Sequence, residues 1–157
     1  MRMNQKQFGG VLLKVTINQS SNQAEPEIII NCSYMDKTLK KIIDYITQFT
    51  CTIEGENEGK TYQLPMDKIF YIESVDGRTY LYDKSDSYLC KKSLQALEEE
   101  LKHTPFVRVS KTCLLNTFYL RCVEPYPNHR LKAELSNGEQ IIISRNYIDN
   151  LYKKIKS

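Results

Sequence analysis

Tryptophan is absent from this chain of 157 residues, and histidine is scarce, with only His103 and His129. Five cysteines are present, but none forms a C-x-x-C pair. Structural metal sites use closely spaced cysteine and histidine ligands, so the sequence argues against a metal centre. We expect the thiols to be reduced and to pack as small apolar groups.

Long apolar runs are also missing. No stretch approaches the roughly 20 apolar residues that cross a bilayer. Residues 1–10 are polar and lack the apolar segment of a secretory signal. With 41% hydrophobic and 26% charged residues, the composition is typical of a folded protein. We therefore expect a cytoplasmic location.

Catalytic signatures are lacking as well. The chain contains no G-x-S-x-G, P-loop or G-x-G-x-x-G segment. His103 precedes Pro105 at a predicted helix end, and His129 lies in a predicted turn, so neither belongs to a catalytic pattern. The consecutive Glu98, Glu99 and Glu100 diverge around a helix. The sequence predicts a protein that is not an enzyme and needs no cofactor.

The positive charge is unevenly distributed. The net charge is +3, yet residues 108–157 carry nine Lys or Arg against four Asp or Glu. Residues 1–57 are neutral, and residues 58–107 have a small acidic excess. This asymmetry favours a polyanion-facing surface in the last third, although a lysine-rich terminal helix is also compatible with simple solvation.

Residues 1–50 read as a small α+β segment of strand, strand and helix. Val11 to Ile17 and Glu27 to Cys32 are rich in β-branched residues. Asp36 can cap a helix that runs to Phe49, whose predicted inner face is apolar. That face consists of Leu39, Ile42, Ile43, Ile46 and Phe49. This segment is a candidate for regulation or for pairing with a second copy.

Residues 51–157 predict a mainly β domain. Short β-rich runs are separated by turn signals, of which Asp76-Gly77 and Asn137-Gly138 are the strongest hairpin signals. Ser93 and Ser144 can each cap a short helix, and Glu98 can pair with Lys102 on the first of them. We expect eight to ten antiparallel strands and two short helices.

One segment interleaves apolar anchors with polar side chains. It runs from Phe106 to Asn116 and contains the side-chain types that hold phosphate oxygens, namely Arg108, Ser110, Lys111 and Thr112. Its last residue, Asn116, can donate one hydrogen bond and accept another at the same time, so its side chain can read the edge of an adenine base. An ordinary turn with a solvated lysine is the structural alternative.

Together with two other segments, this one resembles the LytTR family of DNA-binding domains. The other two are Ile69 to Ser74 with its Asp-Gly hairpin, and Asn137 to Arg145. The resemblance covers about residues 51–157. It implies an antiparallel β-sandwich of small sheets with short helices, without a recognition helix. Loops would enter successive major grooves of double-stranded DNA, at sites that are commonly direct repeats, to regulate transcription.

The resemblance also implies base-reading residues. Asn116 and Arg145 match two such positions, and a third falls on Arg78 or Thr79. We prefer Arg78, because a guanidinium can make a bidentate contact to guanine. Ser144 is expected to contact phosphate beside Arg145. Arg145 opens a predicted helix, where the positive end of the helix dipole disfavours a cation. An external anion that binds Arg145 would explain its position. A freely solvated side chain is the alternative. Arg108 can instead form an internal ion pair, for example with Glu73.

Residues 1–50 are too short for the phosphorylatable receiver that many relatives carry, so control by aspartyl phosphorylation is not expected. By analogy with short-headed relatives, the resemblance implies a small membrane protein as regulator, and a homodimer would suit a repeated site.

The rival hypothesis is a β-sheet module that binds protein or single-stranded nucleic acid through its tyrosines. Tyr62, Tyr71, Tyr80, Tyr82 and Tyr88 are its candidate stacking residues.

Overall fold

The computed structural model describes residues 15–18, 20–22 and 25–156. Within them the chain forms three α-helices, α1 (Lys37–Thr50), α2 (Leu94–Glu100) and α3 (Ile148–Lys156). Ten strands follow α1 along the chain: β1 (Thr52–Asn57), β2 (Lys60–Pro65), β3 (Tyr71–Val75), β4 (Arg78–Tyr82), β5 (Ser87–Cys90), β6 (Phe106–Arg108), β7 (Cys113–Asn116), β8 (Leu120–Tyr126), β9 (Arg130–Leu135) and β10 (Gln140–Ile143). Short 3-10 turns cover Met66–Lys68, Thr117–Tyr119 and Arg145–Tyr147.

The strands build two antiparallel sheets. A seven-stranded sheet has the order β2-β1-β5-β4-β3-β7-β6, and a three-stranded sheet has the order β10-β9-β8. The prediction of a mainly β fold made of small antiparallel sheets with short helices is confirmed.

Strand β7 separates two hydrophobic cores. Side chains alternate across a strand, so Leu114 and Leu115 point to opposite faces, and both are buried. Leu114 joins the core beneath α2, with Leu97 and Leu101. Leu115 joins a second core that contains Leu135 of β9, Ile143 of β10 and Leu151 of α3. The strand next to the predicted polar loop is therefore held firmly on both faces.

The Asp76-Gly77 hairpin is confirmed, with φ angles of 50° and 76° at the two turn residues. Asn137-Gly138 also lies in a hairpin, but only Gly138 has a positive φ there, at 89°. Gly138 N donates to Leu135 O at 2.9 Å, which makes a longer turn that ends in a left-handed glycine. Asn128 and His129 adopt left-handed φ angles of 65° and 56° between β8 and β9.

Two of the three predicted helix caps form. Asp36 Oδ1 accepts from Leu39 N at 2.7 Å, and Ser93 Oγ accepts from Ala96 N at 3.2 Å. Ser144 makes no such side-chain bond, because a 3-10 turn comes between it and α3. The predicted Ser144 cap is therefore wrong.

Helix α1 belongs to the compact unit that begins at Met35 and holds both sheets. Its inner face differs from the predicted one in one residue. Gln48 is completely buried, whereas Phe49 is 57% exposed. The aromatic ring of Phe49 packs edge-on against Phe118, with ring centroids 6.4 Å apart.

The predicted strand Glu27 to Cys32 is not formed, and residues 15–17 of the other predicted strand are not in a strand either. Residues 11–14, the first part of the predicted strand Val11 to Ile17, lie outside the described residues. Ile28 and Ile29 are 66% and 69% exposed. A β-branched composition suits a strand, but a strand also needs a neighbour that completes its hydrogen-bond ladder.

Candidate nucleic-acid interface

The loop between β6 and β7 is shaped from inside by Arg108. Its Nε donates to Ser110 O at 2.7 Å, and one terminal nitrogen donates to Lys111 O. The other terminal nitrogen lies 2.8 Å from Glu98 Oε2 on α2. Only 16% of the Arg108 side chain is exposed. A planar guanidinium with five donors can thus fix two loop carbonyls and a carboxylate at once.

These contacts correct two sequence-based assignments. Arg108 was expected to contact phosphate or to pair with Glu73, but its partner is Glu98, and its donors already serve the loop. Glu98 was expected to pair with Lys102 and instead reaches across to Arg108. Glu98 pairs with Arg108 of β6, and not with Lys102 four residues further along its own helix, because α2 lies beside β6.

Three loops meet around one open cleft of about 580 Å³. They are the β6–β7 loop, the β8–β9 hairpin and the link from β10 to α3. The cleft is lined by Ser110, Lys111, Thr112, Asn128, Arg130, Ser144, Arg145, Asn146 and Tyr147. Three of these residues are cationic and none is acidic, so the cleft has the electrostatics of an anion site.

Backbone hydrogen bonds hold the loops together. Ser144 N donates to Val109 O at 2.9 Å, which joins the end of β10 to the start of the β6–β7 loop. Thr112 O accepts from Ser74 N at 2.8 Å, which places the β3–β4 hairpin beside the same loop. Residues from distant parts of the chain are thereby brought to one end of the molecule.

The structure brings together five of the predicted contact residues, namely Ser110, Lys111, Thr112, Ser144 and Arg145. Lys111, Thr112 and Arg145 are exposed, and the two serines are half-buried. Arg145 opens the 3-10 turn that leads into α3, where Tyr147 N donates to Ser144 O at 2.9 Å. The side chain that follows the last strand is therefore directed to the surface.

Asn116 is not part of the cleft. It is 0% exposed. Its Nδ2 donates to Ile69 O at 2.8 Å, and its Oδ1 accepts from Phe118 N at 3.1 Å. Both ends of the amide are used inside the protein, so the assignment of Asn116 to base reading is corrected to a structural role that tethers β7 and caps the following 3-10 turn.

Arg78 and Thr79 differ in burial. Thr79 is 5% exposed and faces the core, whereas Arg78 is exposed beside the turn. Neither residue lines the cleft, but Ser74 of the same hairpin is bonded to Thr112, as described above. Arg78 is thus the residue of this pair that an external ligand can reach.

Four cleft residues were missed by the sequence reasoning: Asn128, Arg130, Asn146 and Tyr147. Arg130 Nε donates to Pro127 O at 3.0 Å, and its guanidinium carbon lies 5.0 Å from the centre of the Tyr126 ring. For Asn128 and Arg130, the sequence signal was a run of polar residues that follows two prolines and precedes a strand. Such a run indicates the tip of a hairpin, which must be exposed.

In the described part of the chain, no group of three or more His, Cys, Asp or Glu side chains is arranged to hold a metal ion. Among the same residues, no helix is both long and apolar enough to span a membrane.

Comparison with known proteins agrees with this geometry. The family model of the LytTr DNA-binding domain matches residues 59–156. A solved LytTr DNA-binding domain from Bacillus cereus superposes with a TM-score of 0.64 at 21% identity, covering 68% of this chain and 98% of that one. This likeness shows the fold.

The relatives that match parts of this chain are regulatory proteins by name. Sensory transduction protein LytT of Bacillus subtilis is 28% identical over 85 residues, which are 54% of this chain and 35% of that protein. LytT of Enterococcus faecalis is 22% identical over 103 residues, 66% of this chain and 42% of the relative. Transcriptional regulatory protein LytR of Staphylococcus aureus is 22% identical over 112 residues, 71% of this chain and 46% of the relative. This chain thus matches less than half of each of these proteins.

Because the family model covers well over half of the chain, the chain belongs to the LytTr DNA-binding domain family.

Proposed function

We propose that the protein binds double-stranded DNA in a sequence-specific manner and regulates transcription from the cytoplasm, without catalysis. The observation that carries the proposal is the cleft, where three loops present three cations and no acid. The family match and the regulatory relatives also support DNA binding and transcription regulation.

In this proposal the cleft holds the phosphate backbone. Lys111 and Arg130 supply charge, while the hydroxyls of Ser110, Thr112 and Ser144 donate to phosphate oxygens. Arg108 acts indirectly by holding the loop that carries Lys111. Such contacts fix the register of the protein on the duplex but carry no sequence information.

Base reading falls to exposed groups at the same end of the molecule. Arg145 at the cleft and Arg78 on the β3–β4 hairpin can each make a bidentate contact to guanine O6 and N7. With Asn116 buried, the amides available to read adenine at the cleft are those of Asn128 and Asn146. The loops would thus read the major groove without a recognition helix.

The rival module that stacks single-stranded bases on tyrosines gains no support from the packing. Tyr71 and Tyr82 are cross-strand partners whose rings stack on each other at 4.4 Å. Tyr62 packs edge-on against Tyr88, with ring centroids 5.3 Å apart. Four of the candidate tyrosines therefore already have aromatic partners within the sheet.

The test is a competition experiment with Arg145→Ala. A cognate duplex is first selected from random DNA, and its affinity is then compared with that of a random duplex. Loss of one bidentate contact costs about 1–3 kcal/mol, so discrimination should fall about 5- to 160-fold. Arg121→Ala is the matched control, because Arg121 is an exposed arginine on β8 that pairs with Glu134. An unchanged ratio for Arg145→Ala would refute base reading by this residue.

Two partner predictions stay as they were made from sequence. A homodimer that uses residues 1–50 would suit a repeated site, and a small membrane protein is implied by analogy with short-headed relatives. Sedimentation of a chain without residues 1–50 addresses the first, since an unchanged number of subunits per particle would remove that idea.

A further inference from the structure

A second group of cations lies on helices α1 and α3. Lys37 from α1 and Asp149, Tyr152, Lys153 and Lys156 from α3 line a shallow groove of about 310 Å³. We call it the lysine groove. It contains three lysines and one carboxylate, and all three lysines are exposed. Its net charge is therefore positive, like that of the cleft.

Helix α1 is fastened to α3 by two contacts that fix the lysine groove. Lys41 Nζ donates to Ile155 O at 2.8 Å, near the carboxyl end of α3, where a cation is favoured by the helix dipole. Lys154 Nζ lies 3.7 Å from Asp44 Oδ2, and both side chains are largely buried. Burial lowers the pKa of Lys154, and the Asp44 carboxylate opposes that shift. Lys37 is one turn from Lys41 and is thereby held beside α3.

The lysine groove follows the cleft along the chain, because α3 begins directly after the 3-10 turn that carries Arg145. Tyr147 lines the cleft, and Tyr152, five residues later, lines the groove. At a rise of about 2.0 Å per residue in the 3-10 turn and about 1.5 Å in α3, Lys153 lies roughly 14 Å along the chain from Arg145. The major groove of B-DNA is about 12 Å wide and about 8.5 Å deep, so its phosphate rows lie on the order of 10 Å from the base edges that Arg145 would meet, a distance of comparable size.

We propose that the lysine groove binds phosphates of the same DNA duplex that occupies the cleft, so that Lys37, Lys153 and Lys156 extend the footprint. This inference rests on the proposed function and adds a role for α1, which lies outside residues 59–156 matched by the family model. The short separation from Arg145 along α3 and the shared sign of charge favour DNA over an acidic protein as the occupant.

The experiment measures the salt dependence of binding to one random-sequence duplex by fluorescence anisotropy. Each phosphate contact contributes about 0.9 to the slope of log affinity against log salt. The double variant Lys153→Gln/Lys156→Gln should reduce the steepness of the slope by about 2, and Lys37→Gln should remove about one further unit. Cognate and random duplexes should lose affinity equally, because phosphate contacts carry no sequence information.

The matched control is Lys60→Gln/Lys84→Gln, which removes the same charge from exposed lysines on the β1–β2 hairpin and the β4–β5 turn. An unaltered slope in the groove variants would overturn the inference and leave an acidic protein as the occupant to be sought. An equal decrease in the control would also overturn it, since the effect would then reflect net charge alone. Failure of the proposed function is seen separately, as equal affinity of the unsubstituted chain for the selected duplex and for a random duplex.

Discussion

Arg108 and Glu98 connect a helix to the loop that forms one wall of the cleft. Arg108 Nη1 lies 2.8 Å from Glu98 Oε2, and the same guanidinium holds the carbonyls of Ser110 and Lys111. The pair converts a polar loop, which would otherwise be free to change shape, into a fixed part of the surface. Pre-organisation of this kind lowers the entropy that a ligand must remove on binding.

Arg108→Ala is expected to weaken DNA binding without contact to the DNA. Hydrogen bonds to charged groups contribute about 1.5–3 kcal/mol, so we expect a decrease of about 1–3 kcal/mol in the free energy of unfolding, measured in urea. Cognate and random duplexes should lose affinity together. Glu98→Gln should have a smaller effect of the same kind, and Glu99→Gln on the exposed side of α2 serves as the control. A selective loss of cognate binding would instead indicate a direct base contact by Arg108.

Asn116→Ala is expected to destabilise the fold and leave specificity intact. The substitution leaves the carbonyl of Ile69 and the amide of Phe118 without their side-chain partner. A buried group that loses its partner costs about 1–3 kcal/mol, and this should appear as a lower urea midpoint. The ratio of cognate to random affinity, measured on the folded protein, should equal that of the unsubstituted chain. A lost ratio with an unaltered urea midpoint would contradict the structural role.

Gln48→Leu is expected to stabilise the protein. Gln48 is fully buried on α1, and neither its Nε2 nor its Oε1 has a hydrogen-bond partner among the described residues. Replacing this amide by an apolar side chain of similar size removes an uncompensated desolvation cost, and we expect a gain of about 1 kcal/mol in urea denaturation. Gln95→Leu on the exposed face of α2 is the control. A decrease in stability would show that the Gln48 amide is satisfied in solution, for example by water.

The stability of the fold should decrease in alkaline solution. Burial raises the pKa of the Cys113 thiol above its usual 9.0, with a smaller contribution from Glu73. Burial also raises the pKa of Tyr82 above 10.0. The unfolded chain releases these protons first, so it binds fewer protons than the native state from about pH 9 upward, and the free energy of unfolding falls as pH rises.

Urea denaturation at pH 7.5 and pH 10 measures this decrease. Cys113→Ala should make it smaller, although the variant is less stable at both pH values because a buried side chain is truncated. Cys122→Ala removes an exposed thiol and is the control. If Cys113→Ala showed the full pH dependence of the unsubstituted chain, the buried thiol would not be its source.

DNA binding should depend steeply on salt. If the protein as a whole neutralises about four to six phosphates, log affinity should fall with log salt at a slope of about −4 to −5. Lys111→Gln should lower the steepness by about one unit for any duplex. A slope near zero would show that the cations of the cleft do not meet phosphates.

Local patterns predicted many elements of the β domain because their causes are local. The Asp76-Gly77 turn needs two left-handed residues, and the caps at Asp36 and Ser93 need an oxygen three residues before a free amide. The predicted strand at Glu27 to Cys32 shows the limit of this reasoning. Its β-branched side chains favour an extended backbone, but no local pattern says whether a neighbouring strand is present to pair with it.

The amino-acid sequence by itself determined the mainly β architecture, the hairpins and the basic final third, because periodicity, turn chemistry and charge are properties of neighbouring residues. Only the tertiary structure decided that Asn116 is buried, that Arg108 pairs with Glu98, and that Asn128 and Arg130 join Lys111 and Arg145 at one cleft. Those outcomes depend on which strands pair and which helix covers them, and such contacts join residues that are far apart along the chain.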